Sequence, residues 1–216
     1  MKILENIKTV KGNQIELIGQ NNEKKKILII GAIHGDEPQG EFLIENFLAG
    51  FPDFDDKFLF IPCLNPDGYD LETRTNANGI DINRNFPTKN WEKSDMKDKN
   101  GEPNRYWGGN EPNSEIETQF VINIIEKYLP ALIITLHTPF KIVNFDGDAR
   151  EIAEKIAEIF GYKVKESIGY PTPGSFGTWA GIERKIPIIT LEMDEEIPAA
   201  ELIEPFETML DLLSNN

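Results

Sequence analysis

Histidine and cysteine are scarce in this chain: two histidines, His34 and His137, and one cysteine, Cys63, occur among 216 residues. A single cysteine excludes an intramolecular disulfide and any cysteine-rich zinc module. Basic residues are also in the minority, because 22 Lys and Arg stand against 37 Asp and Glu and leave a net charge of −15. So acidic a surface repels nucleic acid and anionic membranes, and we expect neither as a partner.

Long apolar stretches are absent as well. The longest apolar run, 27–33, has 7 residues, far fewer than the roughly 18 that span a bilayer. The first residues carry charges where a signal peptide needs an apolar stretch, so we expect a cytoplasmic protein. With 39% hydrophobic and 27% charged residues, the composition is that of an ordinary globular protein.

Buried strands alternate with amphipathic helices along the chain. Continuous apolar runs, typical of strands covered on both faces, occur at 27–33, 58–61, 132–136 and 188–191. Helical patterns with start and stop residues occur at 38–50, 114–129, 148–160 and 198–213. Ser114 and Glu117 form a capping-box pattern at the start of the second helix. This alternation predicts a single α/β domain over 1–216, with a mixed, mostly parallel twisted sheet covered by helices on both faces.

Two segments fall outside this alternation. Residues 1–20 contain two short mixed strands around a Lys-Gly-Asn turn and predict an N-terminal hairpin. Residues 88–113 are a long stretch without periodicity, rich in Lys, Asp, Asn and Gly. A loop of that length is usually functional or disordered, and the aromatic residues Trp91, Tyr106 and Trp107 favour a partly ordered loop at the rim of a site.

Both histidines and one glutamate come directly after predicted strands: His34, His137 and Glu192 each follow the last residue of an apolar run. Ligands of open α/β sheets bind beyond the carboxyl ends of the strands, so we expect these side chains at one edge of the sheet. Glu37 lies three residues after His34. Together with His137 they would leave a fourth position open, which is the pattern of catalytic zinc. Two histidines and one carboxylate can also hold iron for oxygen chemistry.

Two arginines, Arg74 and Arg84, lie in the polar, turn-rich segment 74–86. A planar guanidinium grips a carboxylate with two hydrogen bonds, so these residues suit recognition of an anionic substrate. Composition alone favours the other interpretation, that both are solvated loop residues.

Four motifs, taken in chain order, resemble the zinc metallocarboxypeptidase family: His34-x-x-Glu37, Asp81-x-Asn83-Arg84-Asn85-Phe86, His137, and Thr190-Leu191-Glu192. The resemblance runs from about residue 27 to the C-terminus. Within the family, the segment 169–179 (Gly-Tyr-Pro-Thr-Pro-Gly-Ser-Phe-Gly-Thr-Trp) is similar to that of the bacterial murein peptide amidases. Those enzymes release meso-diaminopimelate from cell-wall tripeptides during recycling.

The resemblance implies which residues carry the chemistry. His34, Glu37 and His137 would hold one Zn²⁺ per chain. Glu192 would be the general base that takes a proton from zinc-bound water and passes it to the leaving amine. Arg74 would stabilise the negative oxygen of the tetrahedral intermediate.

The resemblance also implies how a substrate is held. Arg84, with Asn83, would bind the free carboxylate of the leaving residue. Asp81 would hydrogen-bond the non-liganding nitrogen of the first zinc histidine, His34. Tyr170 matches a mobile tyrosine that closes on the substrate.

We therefore expect a zinc-dependent hydrolase that cleaves the amide bond before a C-terminal residue of a small peptide with a free carboxylate. The most specific expectation is the γ-D-Glu–meso-diaminopimelate bond of murein tripeptide. The alternatives are a general zinc carboxypeptidase on L-peptides, a zinc deacylase of acyl-amino acids, and a non-catalytic protein that binds cell-wall peptides. Nucleophilic catalysis is disfavoured, because the segment around Ser175 lacks the first glycine of the G-x-S-x-G elbow and Cys63 lies in an apolar run.

Overall fold

The structure is a computed structural model that describes residues 1–20, 26–166 and 169–215. Its strands are β1 (Lys2–Lys8), β2 (Gln14–Gly19), β3 (Ile27–Ile30), β4 (Phe58–Ile61), β5 (Leu132–His137), β6 (Ile142–Asp146), β7 (Lys163–Lys165) and β8 (Ile188–Glu192). Its α-helices are α1 (Gln39–Gly50), α2 (Pro66–Asp70), α3 (Ile116–Tyr128), α4 (Arg150–Phe160) and α5 (Ile203–Ser214). Short 3₁₀ helices occur at Ile82–Arg84 and Ala199–Leu202, and a π-helix occurs at Thr178–Glu183.

These eight strands form one sheet in the order β1-β2-β4-β3-β5-β8-β6-β7. The central strands β4, β3, β5 and β8 are parallel, and so are β6 and β7. The pairs β1–β2, β2–β4 and β6–β8 are antiparallel. The predicted mixed, mostly parallel sheet is therefore confirmed. The sequence pattern does not predict β6 and β7, because both are short and contain polar or charged residues.

The central strands are buried on both faces, as their unbroken apolar sequences predict. Ile29, Ile134 and Ile189 belong to one apolar cluster with residues of α1, α4 and α5. Their chain neighbours Leu28 and Ile133 belong to a second cluster with residues of α3 and the π-helix. Helices therefore cover the sheet on both sides, and the central strands are held rigidly between the two layers.

The start of α3 differs from the predicted capping box. The helix begins at Ile116, and Ser114 donates its hydroxyl to the carboxylate of Glu115 over 2.7 Å instead of capping the helix. Glu117 is buried, and its Oε2 accepts a hydrogen bond from Asn76 over 3.2 Å. The predicted capping box is therefore wrong, because both of its side chains are used in contacts other than the cap.

The two segments outside the alternation of strands and helices both contact the rest of the chain. The N-terminal hairpin forms, and its second strand continues the main sheet through β4. The segment 88–113 contains an isolated bridge between Lys97 and Pro103 and is anchored by aromatic residues. Trp107 is buried, and the indole N–H of Trp91 donates to a backbone carbonyl over 3.0 Å. This part of the chain is a loop without a helix or a strand of its own.

The first parallel strand ends earlier than its apolar run. β3 stops at Ile30, and Ala32 has a positive φ of 44°, which an extended strand cannot accommodate. His34 therefore lies four residues beyond the strand, in a turn, and does not follow it directly. His137 and Glu192 are the final residues of β5 and β8, and the sheet register pairs them side by side.

Candidate active site

Three side chains predicted to hold a metal ion meet at one edge of the sheet. His34 and Glu37 lie in the turn between β3 and α1, and His137 ends β5. One ligand atom of each lies within 4.8 Å of the other two. The Nδ1 atoms of His34 and His137 are 3.2 Å apart, and each lies 2.8 Å from a carboxylate oxygen of Glu37. All three side chains are buried.

In the turn that carries His34 and Glu37, Gly31 and Gly35 lie too close to neighbouring backbone atoms to carry a side chain. A Cβ atom at Gly31 would lie 2.4 Å from the carbonyl oxygen of Pro62. A Cβ atom at Gly35 would lie 2.0 Å from the backbone carbonyl carbon of Gly68 in α2. Glycine at both positions lets the turn between β3 and α1 lie directly against the segment that follows β4.

This set of donor atoms fits zinc. Two nitrogens bound tetrahedrally at about 2.0–2.1 Å from Zn²⁺ lie about 3.3 Å apart, close to the 3.2 Å between the imidazoles of His34 and His137. Burial alone would raise the pKa of Glu37, but the charges of the two histidines outweigh it and hold that pKa well below its usual range. The Glu37 carboxylate is therefore ionised, as a metal ligand must be.

Asp81 contacts the His34 ring on the side that faces away from Glu37 and His137. Its Oδ1 accepts a hydrogen bond of 3.3 Å from Nε2 of His34, which leaves Nδ1 facing Glu37 and His137. Burial would raise the pKa of Asp81, but the charges of Arg74 and His34 outweigh it and lower that pKa. An ionised carboxylate only accepts hydrogen bonds, so Nε2 carries the proton. Asp81 therefore contacts the ring nitrogen of His34 that points away from Glu37 and His137.

Arg74 joins Asp81 to the metal-binding carboxylate. Its Nε donates to Oδ2 of Asp81 over 3.0 Å, and its Nη1 lies 3.4 Å from Oε1 of Glu37. The side chain is largely buried, and its guanidinium also stacks on the ring of Tyr106, 5.0 Å from the ring centre. Arg74 is therefore a positive charge held beside the metal-binding residues by two carboxylates.

Glu192 faces the same centre with one carboxylate oxygen unpartnered, while a backbone hydrogen bond at Phe140 engages its carboxyl group. It pairs with His137 in the sheet register and is only 7% exposed. Among the described residues, no group hydrogen-bonds its buried Oε2 atom. Burial raises the pKa of this carboxyl above its ordinary value. A buried carboxylate oxygen without a hydrogen-bond partner is costly for folding, and a raised pKa suits a group that takes up a proton during a reaction.

Arg84 is a buried cation without a counter-ion. It ends the 3₁₀ helix Ile82–Arg84, and its Nη1 donates to the carbonyl oxygen of Asn83 over 2.7 Å. Within the described part of the chain, no carboxylate forms an ion pair with this guanidinium. The side-chain oxygen of Asn83 accepts from the backbone N–H of Phe176 over 2.9 Å, which leaves the amide nitrogen for other partners. Both side chains are available to an anionic ligand.

A cavity of about 630 Å³ collects eight of the nine residues predicted for the site. They are His34, Glu37, Arg74, Asn83, Arg84, His137, Tyr170 and Glu192. Asp81, the ninth, is fully buried beneath the cavity wall and acts through its contacts with His34 and Arg74. Tyr170 is 42% exposed at the cavity, and its hydroxyl has no hydrogen-bond partner among the described residues.

Among the residues that line this cavity, Tyr106, Asn144 and Asp146 were not assigned a role in the site by sequence reasoning. The guanidinium groups of Arg74 and Arg84 lie over the ring of Tyr106, 5.0 and 5.8 Å from its centre. The sequence feature that pointed to Tyr106 was its position in the long loop 88–113. Asn144 and Asp146 lie on β6, and no pattern in the sequence predicts that strand.

Serine or cysteine nucleophiles are not supported. The hydroxyl of Ser175 donates to Thr178 over 3.0 Å and neither histidine contacts it among the described residues. Burial raises the pKa of the Cys63 thiol to about 12, so it is not a thiolate at neutral pH.

Within the described ranges, no helix is long and apolar enough to cross a membrane. The family model described as zinc carboxypeptidase matches residues 2–167 of the chain. That match ends before Glu192, which is brought to the centre by the sheet register.

Two curated relatives are murein peptide amidases. The chain is 35% identical to murein peptide amidase A of Escherichia coli K12 over 164 residues, covering 70% of this chain and 64% of that protein. It is 32% identical to murein peptide amidase A of Vibrio campbellii over 179 residues, covering 77% of this chain and 68% of that protein. The match therefore spans slightly less than two thirds of the length of the Escherichia coli relative.

Solved structures share the fold. The structure of murein-tripeptide amidase from Escherichia coli O157 aligns with a TM-score of 0.79 at 29% identity, covering 96% of this chain and 89% of that chain. Bovine thrombin-activatable fibrinolysis inhibitor aligns with a TM-score of 0.75 at 18% identity, covering 98% and 88%, which shows likeness of fold alone. The family match, the two amidases and the metal-binding geometry agree: the chain belongs to the zinc carboxypeptidase family.

Proposed function

We propose that this protein is a zinc-dependent hydrolase that cleaves the amide bond before a C-terminal residue, and that its substrate is the γ-D-Glu–meso-diaminopimelate bond of murein tripeptide. One observation carries the proposal. A single cavity is lined by the three side chains that could hold a metal ion, by Glu192 with its unpartnered Oε2 atom, and by Arg84, whose guanidinium has no counter-ion among the described residues. The similarity to murein peptide amidases supports the choice of substrate.

Zinc would be held by His34, Glu37 and His137. A zinc ion bound there acts as a Lewis acid on water and on the substrate carbonyl, which is the chemistry that amide hydrolysis needs at neutral pH. Asp81 would keep the proton of His34 on Nε2 and leave Nδ1 for the metal.

Glu192 would move the proton. Its raised pKa, caused first by burial, lets the carboxylate accept a proton from the attacking water and then donate it to the leaving amine. Oε2 has no competing hydrogen bond among the described residues, so no existing contact must break for this transfer.

Arg84 would make the enzyme an exopeptidase. A substrate without a free carboxylate near the cleaved bond would leave this buried cation unpaired, whereas a C-terminal carboxylate would pair with it. Asn83 would donate its amide N–H to the same carboxylate. Arg74 would stabilise the negative oxygen that forms on the carbonyl, because it lies beside Glu37 and is locked in place by Asp81.

The alternatives differ in testable ways. A general carboxypeptidase would release residues from ordinary L-peptides, and a non-catalytic binding protein would release none. The buried Glu192 with its unpartnered Oε2 atom favours catalysis over binding alone, since a binding site has no use for a general base. A deacylase of acyl-amino acids would act on substrates that lack a peptide beyond the cleaved bond.

The test is to incubate the zinc-loaded protein with L-Ala-γ-D-Glu-meso-diaminopimelate and with an L-peptide of equal length, and to identify products by mass spectrometry. We expect diaminopimelate from the first substrate and little release from the second. Release from the L-peptide alone would show a general carboxypeptidase activity and contradict the murein substrate. No release from either substrate, with zinc bound, would refute the proposed hydrolase.

A further inference from the structure

Three guanidinium groups lie over one aromatic ring at the cavity. The guanidinium carbons of Arg74, Arg84 and Arg105 lie 5.0, 5.8 and 5.7 Å from the centre of the Tyr106 ring. All four residues line the cavity that contains the metal-binding side chains. Positive charges this close together repel one another, and the chain as a whole carries a net charge of −15. The concentration of cations at this one place therefore indicates that more than one anionic group binds here.

Among these three arginines, Arg105 has no role in the proposed reaction. Arg74 is held by two carboxylates, and Arg84 would bind the C-terminal carboxylate. Arg105 forms one ion pair, in which its Nη2 lies 3.2 Å from Oδ2 of Asp36. Among the described residues, no other group accepts a hydrogen bond from this guanidinium. Exposed ion pairs of this kind contribute little to stability, so a carboxylate of a ligand can share the guanidinium with Asp36 or replace it.

The position of Arg105 indicates which part of a substrate it would meet. Arg105, Arg74 and Asp36 line a recess of about 440 Å³. Arg84 lines a different recess, of about 420 Å³, together with Tyr170. In the proposed reaction the C-terminal carboxylate lies at Arg84 and the cleaved carbonyl lies at Arg74. A substrate chain that continues past Arg74 and away from Arg84 therefore enters the recess beside Arg105.

A γ-linked glutamyl residue carries an anionic group in this part of the substrate. Because the residue is joined through its side-chain carboxyl, its α-carboxylate stays free on the acyl side of the cleaved bond. Seven bonds separate the carbon of that carboxylate from the carbon of the C-terminal carboxylate, which is roughly 8–9 Å in an extended chain. Two guanidinium groups that each lie within about 6 Å of one ring centre are at most about 12 Å apart. The spacing of Arg84 and Arg105 is therefore compatible with binding both carboxylates of one substrate.

We propose that Arg105 binds the free α-carboxylate of the γ-D-glutamyl residue on the acyl side of the cleaved bond. This assignment rests on the proposed function, because it takes the C-terminal carboxylate to lie at Arg84 and the cleaved carbonyl to lie at Arg74. Arg105 would favour a γ-linked substrate over an ordinary peptide, in which the α-carboxyl group of that residue is consumed in the cleaved bond itself.

Two substrates that differ in one group test this assignment: L-Ala-γ-D-Glu-meso-diaminopimelate and its D-isoglutamine analogue, in which the α-carboxylate is an amide. The side chain of Arg105 is 59% exposed, and solvent weakens an exposed ion pair. We therefore expect kcat/KM of the zinc-loaded parent to be about 5- to 20-fold higher for the acid than for the amide. Salt screens exposed charges, so this ratio should fall as the NaCl concentration rises from about 0.01 M to about 1 M.

The variant Arg105→Gln removes the charge and keeps a polar side chain, and we expect its acid-to-amide ratio of kcat/KM to fall close to one. The matched control is Lys99→Gln, which removes the same charge from the same loop at an exposed position and should keep the parental ratio. Asp36→Asn breaks the ion pair but keeps the guanidinium, so its ratio should be at or above that of the parent. Zinc content and melting temperature are measured for every variant.

A parental ratio in Arg105→Gln, or no preference for the acid in the parent, would overturn the proposal. An equal fall of the ratio in Asp36→Asn would also overturn it, because the ion pair would then set the ratio instead of carboxylate binding. If the parent hydrolyses neither substrate, the proposed function fails separately, and calorimetry with L-Ala-γ-D-Glu and L-Ala-γ-D-isoglutamine decides the role of Arg105. Tighter binding of the first dipeptide that is lost in Arg105→Gln supports the site, and equal binding of the two overturns it.

Discussion

Replacing Arg84 by methionine tests whether this guanidinium binds the C-terminal carboxylate. The structure leaves most of its N–H donors unused, since only Nη1 has a hydrogen-bond partner in the described chain, the carbonyl of Asn83 at 2.7 Å. Arg84 is only 7% exposed, so water replaces the lost contact poorly. A charge-assisted hydrogen bond contributes roughly 1.5–3 kcal/mol, which corresponds to a loss of about 10- to 150-fold in kcat/KM for a peptide acid.

The assay compares the peptide acid with its C-terminal amide on both proteins. For the parent, amidation should lower kcat/KM by the same factor as Arg84→Met lowers it on the acid, because both changes remove one interaction. On Arg84→Met, amidation should change little further, so the two perturbations are coupled. The kcat/KM of Arg84→Lys on the peptide acid should lie between those of the parent and of Arg84→Met, because lysine keeps the positive charge but cannot form two parallel hydrogen bonds to one carboxylate.

An equal loss of kcat/KM on the peptide acid and on its amide in Arg84→Met would refute this reasoning. It would show that Arg84 does not bind the C-terminal carboxylate. Stability provides the control. Methionine removes a buried cation that has no counter-ion, so the melting temperature of the variant should not fall by more than a few degrees, and a large fall would assign Arg84 a structural role.

Three other predictions follow from buried contacts. Asp81→Asn should weaken zinc binding about 10- to 100-fold in a chelator competition, because it disturbs the hydrogen bond that holds the His34 ring; unchanged affinity would contradict the orienting role. Zinc at 100 times its dissociation constant should stabilise the parent by about 2.7 kcal/mol in denaturant titrations, since its ligands come together only in the folded chain; no gain would contradict the site. Burial raises the pKa of Glu117 to about 7, so the folded state binds a proton more tightly than the unfolded state. The free energy of unfolding therefore falls by up to roughly 3 kcal/mol as the pH rises from 4.5 through 7. Glu117→Gln should gain stability over the parent above pH 7 and not below pH 4.5, and a pH-independent difference would contradict this.

Residues at strand ends were predictable from the sequence. Apolar runs mark the parallel strands, and the carboxyl ends of parallel strands lie at one edge. His137 and Glu192 end adjacent strands, so their meeting required only the correct strand assignment. His34 reached the same centre although β3 ends early, because the turn after it is short.

Other parts of the site depend on contacts that no local pattern encodes. Arg74 and Asp81 are seven residues apart, and their pairing arises from an irregular segment. Asp146 lies on a short strand with mixed polarity, which periodicity does not reveal. Ser114 and Glu117 match a capping box locally, yet tertiary hydrogen bonds recruit both side chains elsewhere. Local rules fail here because the competing partners are distant in sequence.

The most direct test of the central claim is the rate of diaminopimelate release from murein tripeptide by the zinc-loaded parent and by Glu192→Gln. Glutamine fills the same space but cannot take up the proton, and general-base catalysis typically contributes about 10²- to 10⁴-fold. We expect one zinc per chain in both proteins, a parent that releases diaminopimelate, and a variant at least about 100-fold slower. A variant that binds zinc and releases diaminopimelate at the parental rate would contradict the assignment of Glu192 and the mechanism built on it.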